Sequence, residues 1–151
     1  MQLTPEELDR QVRGYVYETA TRRGYPPTRA ETAAHLSASA DQVQSAFERL
    51  AAGRVLVLQR DTGEILMANP FSAVLTPFLV ELASFSCFGN CIWDALGIAA
   101  MLKQDARIRT ACGDCGTAMA ISVVNDTAHA DQGVIHFALP ALRWWEDIVF
   151  N

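Results

Sequence analysis

The sequence predicts an α+β fold: a winged-helix-like N-terminal domain of three helices and a β-hairpin, then a small, mainly antiparallel sheet packed on one helix. Three observations carry this. Segments between residues 4 and 52 repeat apolar residues at helical spacing behind capping residues; two short strand-like runs follow around a turn; and one strongly apolar helix after residue 91 precedes further strand-like runs.

The elements follow in order. "TPEELDRQVRGYVYETATRRG" places Leu8, Val12, Tyr15 and Val16 on one helical face, and Gly24 with two prolines ends it. "TRAETAAHL" starts a second helix near Thr28. Ser39 with Gln42 three residues on forms a capping box for a third helix, whose Val43, Phe47 and Leu50 make an apolar stripe. "RVLVLQ" and "EILMA" are strand-like, and "RDTG" between them reads as a hairpin turn. Residues 1–68 are therefore expected to form the first domain. "NPFSAVLTPFLVEL" at 69–82 has two prolines and no helical period, so it reads as a linker running into an extended segment. Residues 83–151 then form a cysteine-bearing α+β domain, in which "ARIRTACGDCG", "TAMAISVV" and "GVIHFALP" supply a strand, a cysteine turn and two further strands.

Composition excludes several classes. Of 151 residues, 50% are hydrophobic, which is ample for a packed core, and no run approaches a membrane span of about 18 apolar residues. The charged N-terminus "MQLTPEELDR" does not read as a secretory signal, so a cytoplasmic location is expected. A formal charge of −5 argues against nucleic-acid or anionic-membrane partners. Residues 1–68 hold eight arginines against nine acidic residues, and the third helix carries only Arg49 as a base, where a DNA reader would show a basic stripe. His35, His129 and His136 have no partner at ligand spacing, and His136 in "VIHFAL" reads as a plain strand residue.

The chemistry concentrates in the cysteines. Cys87, Cys91, Cys112 and Cys115 are spaced C-x3-C, twenty residues, then C-x2-C-G. From spacing alone this is close to a four-cysteine zinc site that would staple helix to sheet. Four buried thiols without metal is the plainer alternative. A third reading starts from "FGNCIWDALGIAAML", where Asn90 is a candidate cap and Cys91 and Asp94 share a helix face at i and i+3. Unpaired amides and the helix dipole favour a thiolate at Cys91, while apolar neighbours favour a protonated Asp94. The pair would then be a soft ligand beside a proton donor. Asp94 has an equally simple reading as an acid complementing the helix dipole.

"NCIWDALGIAAML", "DARI", "CGDCG", "GVIHFALP" and "RWWEDIVF", with the "NPFSAVLTPF" segment before them, resemble the alkylmercury (organomercurial) lyases along nearly the whole chain. The C-x-x-D motif opening an apolar helix is the most specific element. The resemblance implies protonolysis of a carbon–mercury bond, with Cys91 capturing mercury, a second thiolate completing the capture and Asp94 protonating carbon. It implies no required cofactor, mercury being substrate or product ion, and a small organometallic molecule as partner. It also implies a chain either cut short before the family's second catalytic cysteine or naturally short, which leaves Cys87, Cys112 and Cys115 as candidates for the second sulfur. Trp93 and Trp145 are candidate pocket walls, with Trp144 beside them. The competing class is a thiol metal-binding protein, holding zinc or sequestering mercury, that cleaves nothing. A metal-sensing regulator is a third class, supported by the winged-helix pattern alone.

Overall fold

A computed structural model of the chain describes residues 3–130 and 132–149. Three helices open it: α1 (Pro5–Arg23), α2 (Arg29–Leu36) and α3 (Ala40–Ala52). Each begins with a reciprocal capping box, Thr4 with Glu7, Thr28 with Glu31 and Ser39 with Gln42. Only the third of these was read from the sequence. Leu8, Val12 and Val16 of α1 pack against Val43, Phe47 and Leu50 of α3 in one core cluster. At the rim, Arg49 of α3 grips Asp9 of α1 through both carboxylate oxygens, with the closest contact at 2.7 Å.

The expected hairpin forms as β1 (Val57–Leu58) and β2 (Ile65–Ala68). The 69–82 segment, expected as a linker and extended segment, is built into both sheets of the molecule. Its β3 (Phe71–Ser72) pairs with β2, completing a sheet ordered β1-β2-β3. Its β4 (Leu79–Glu81) lies between β5 (Ser86–Phe88) and β6 (Ala106–Ala111) in a second, antiparallel sheet ordered β5-β4-β6-β7-β8.

Helix α4 (Ile92–Leu102) covers one face of this second sheet. Strand alternation sorts the faces: Ala106 and Ile108 of β6, and Ile121 and Val123 of β7 (Ala118–Val124), are buried under the helix, while Arg107 and Arg109 face outward. Ala95, Ile98 and Ala99 of α4 meet them, together with Phe71 and Val80. Burying each large aliphatic here contributes about 1.5–3 kcal/mol. Ala20 of α1 belongs to the same cluster, so the helical half and the sheet share packing.

One sequence expectation fails. "GVIHFALP" is not a strand; residues 133–139 carry no regular structure. The strand that follows β7 is instead β8 (Thr127–His129), reached through a two-residue turn in which Asn125 and Asp126 both have positive φ (49° and 60°). That turn matches the twist of the strands it joins, and an Asn-Asp pair tolerates it. The 133–139 segment runs into a short 3-10 helix at Ala141–Glu146, where the Trp144 indole N–H donates to the Leu139 carbonyl at 2.9 Å.

Candidate active site

The site is built at the start of α4. Gly89 brings the chain there: an added Cβ would lie 2.6 Å from the backbone nitrogen of Ala95, so the first turn of α4 seats directly on a residue with no side chain. Cys91 then stands at the N-cap in extended conformation, and its carbonyl accepts the first helical bond from Ala95 N–H at 2.9 Å. The cap expected at Asn90 is therefore displaced by one residue. Asn90 turns its amide sideways, because nearer acceptors compete for its two N–H groups: Asp94 Oδ2 at 2.9 Å, Asn69 Oδ1 at 3.1 Å and the Pro70 carbonyl at 3.4 Å.

The network continues into the helical half. The Tyr17 hydroxyl donates to the Asn69 carbonyl at 3.1 Å and also lies 3.4 Å from the Val55 carbonyl. Asp94 is thus held by Asn90, Asn90 rests on Asn69, and Asn69 is fastened to α1. Burial raises the Tyr17 phenol above its ordinary pKa, and the nearby Asp94 charge adds to the rise.

Electrostatics set the two reactive groups. Burial raises the Asp94 carboxyl above the ordinary carboxylate value, against the opposing pull of the Asn90 hydrogen bonds. Burial also raises Cys91. The amides of Asp94 and Trp93 at the open helix end pull the thiol down, as the dipole argument expects, but desolvation outweighs them. Helix amides and burial thus act on the Cys91 thiol in opposite directions, and for both Cys91 and Asp94 burial biases the group toward its protonated form.

Both groups line a cavity of about 480 Å³. Its walls are mostly apolar: Phe78, Ile92, Trp93, Phe137, Trp144, Trp145 and Ile148, with Asn69, Asn90 and His136 as polar members. Trp93, 61% exposed, meets Trp144 edge-on at 6.3 Å, and Phe137 lies 4.9 Å from Trp144. Arg54 sits 5.5 Å over the Trp145 ring. His136, read as a plain strand residue, lies instead on an irregular segment at this cavity.

The other cysteines lie elsewhere. Cys87 is buried in the core on β5, and burial pushes its thiol up to about 11; it lines a separate cavity of about 470 Å³ beside Gly24 and Tyr25. Cys112 and Cys115 occupy the turn between β6 and β7. Among the described residues no three His, Cys, Asp or Glu side chains converge as a metal site, which corrects the four-cysteine zinc staple. Spacing misled because Cys87 and Cys91 belong to different elements, a strand and a helix cap, and line different cavities. His35 stacks on Tyr15 with ring centroids 3.9 Å apart.

Sequence reasoning missed Asn69, Tyr17, His136 and Phe137. Asn69 opens the 69–82 segment, which the sequence reads as a linker running into an extended segment. Tyr17 lies one residue off the apolar stripe of α1, with nothing local to mark it.

A cysteine and an aspartate thus stand together at the open end of an apolar helix, in an α+β fold, lining one cavity. Residues 71–150 match the model of the MerB family, alkylmercury lyase, and the chain belongs to that family. Among solved structures it is similar to the crystal structure of the mercury-bound form of MerB2, with a TM-score of 0.61 and 22% identity. At that identity the likeness is one of fold. The alignment covers 83% of this chain and 59% of that one, so this chain spans less than two thirds of its neighbour's length. No curated protein sequence matches.

Proposed function

We propose that the chain performs the chemistry of its family, protonolysis of a carbon–mercury bond, at the Cys91–Asp94 cavity. The observation that carries the reading is the pairing of a half-buried thiol with a desolvated acid in one apolar-walled cavity. Mercury is soft and prefers sulfur to nitrogen or oxygen. The Cys91 thiol displaces a ligand X from R–Hg–X, releasing HX and forming Cys91–S–Hg–R. The Asp94 carboxylic acid then delivers its proton to carbon. The C–Hg bond breaks, its electron pair takes the proton, and R–H leaves. Mercury(II) remains between the Cys91 sulfur and the new Asp94 carboxylate, which balances charge and atoms. A carboxyl that burial biases toward its protonated form suits this step, since general acid catalysis is worth about 10²–10⁴-fold.

The second thiolate implied by resemblance has no counterpart at this cavity among the described residues: Cys87, Cys112 and Cys115 do not line it. That favours a second reading, capture of an organomercurial without cleavage. Asp94→Asn separates them. Under the enzyme reading the unmodified chain releases hydrocarbon from a simple arylmercury compound, while Asp94→Asn binds the compound and releases none. Tight binding by the unmodified chain with no hydrocarbon would leave capture as the function.

The single arginine of α3, Arg49, pairs with Asp9 at 2.7 Å. No described helix is long and apolar enough to cross a membrane.

A further inference from the structure

The C-x2-C turn remains outside the cavity, and nothing so far uses it. It closes the β6–β7 hairpin at the far end of the central ladder, where Ala111 pairs with Ala118. The turn is well defined by its backbone. Cys112 N–H donates to the Thr117 carbonyl at 2.9 Å, and Gly116 N–H returns to the Cys112 carbonyl at 2.9 Å. Gly116 takes a φ of 70°, a left-handed conformation that glycine adopts without strain. The i→i+4 bond holds Cys112 and Cys115 within a single turn, and the Cys115 sulfur rests 3.1 Å from the Thr117 hydroxyl. Cys115 is exposed and Cys112 partly so, and both thiols are free. An added Cβ at Gly113 or Gly116 would meet nothing within 4 Å, so the turn itself is uncovered by the rest of the described residues at these two positions.

We propose that Cys112 and Cys115 form a second, external site: a dithiol clamp for a thiophilic d10 cation that is satisfied by two sulfurs, with mercuric ion as the probe. Among the described residues no third donor joins them, and two donors are wrong for tetrahedral zinc, which needs four protein ligands in a structural site. They suit a soft cation that binds two thiolates in line. Binding replaces two S–H protons by one metal: two thiols and M²⁺ give the bis-thiolate and two H⁺, with no oxidant or reductant required. The site is independent of the Cys91 cavity, so it stands or falls separately from the proposed lyase chemistry.

The test uses the full chain carrying Cys91→Ser. It is loaded with one equivalent of mercuric chloride in excess glutathione, treated with iodoacetamide and digested with trypsin. Cleavage after Arg109 and Arg143 yields one peptide with Cys112 and Cys115, whereas Cys87 and position 91 fall together on the peptide 61–103. Two linked sulfurs outcompete single ones, so mercury should slow alkylation of both thiols of the 110–143 peptide by roughly 10²-fold or more. Cys115→Ser, an exposed and near-isosteric change, should return Cys112 to its metal-free rate. Three results would each overturn the site: protection confined to the 61–103 peptide, protection of Cys112 that survives Cys115→Ser, or thiols blocked before metal is added and freed by a reductant.

Discussion

The Asn90 amide donates to Asp94 Oδ2 at 2.9 Å from a residue just outside α4, while the same amide reaches Asn69 Oδ1 at 3.1 Å. The proposed acid is therefore aimed by a side chain whose own direction is fixed from another part of the chain. This hydrogen bond also lowers the Asp94 pKa against the larger effect of burial. Asn90→Ala should lose orientation and let the carboxyl rise further. The expected outcome is a fall in the protonolysis rate of roughly 10–100-fold with little change in binding, and a high-pH limb displaced upward. An unshifted pH profile would show that Asn90 is only a packing residue.

Asp94 should cost the fold stability at neutral pH. Its native pKa is raised by burial, so the folded chain holds this proton to a higher pH than the unfolded chain does. The contribution to stability is fully present below the unfolded value and is lost as pH rises through the native one. Asp94→Asn keeps an oxygen that can accept from Asn90 and carries no charge to desolvate. Thermal melts should show the variant equal to the parent in acid and more stable at neutral pH. The reverse order at neutral pH would mean that the neighbours stabilise the carboxylate more than burial opposes it.

The thiols should react in a fixed order. Cys115 is exposed and lies below the ordinary thiol value, chiefly through its contact with the Thr117 hydroxyl; Cys91 is raised by burial; Cys87 is pushed up to about 11 in the core. Timed alkylation near neutral pH, read by peptide mass spectrometry, should label Cys115 first, Cys91 later and Cys87 last. Cys91 labelled ahead of Cys115 would show that the helix amides prevail over desolvation.

Gly89→Ala should damage fold and site together. The new methyl would sit 2.6 Å from Ala95 N and 2.9 Å from Ala95 Cα, both of them backbone atoms that yield only if α4 moves. A loss of about 1–3 kcal/mol is expected in denaturant unfolding, with a larger fractional loss of organomercurial binding. Unchanged stability and binding would show that α4 is not anchored at this glycine.

What was legible in the sequence was local. Helical spacing and the Ser39–Gln42 box located α3, and C-x-x-D located the mouth of α4, because these patterns are written within a few consecutive residues. The Asn125–Asp126 turn is equally local, but the apolar run "VIHFAL" is the stronger strand signal by composition and has no pairing partner among the described residues. The cap falls at Cys91, one residue beyond Asn90, because capping propensity does not reveal competing acceptors, here Asn69 and Asp94. Zinc spacing failed for a tertiary reason, since a strand and a helix cap aim their cysteines into different cavities. Tyr17 and Asn69 are far apart in sequence, and only the packing of α1 against the end of β2 brings them together.

The hydrogen-bond chain from α1 bears on how small this protein can be made. The family match begins at Phe71, two residues after Asn69 and far beyond Tyr17. A minimal expression fragment cut at that boundary would keep Cys91, Asp94 and Asn90. It would lose the anchor against which Asn90 is braced and would uncover the face of the sheet core where Ala20 sits. The helical half is in that sense a jig for Asp94, and trimming it would leave the side chains of the cavity without the tool that aligns them.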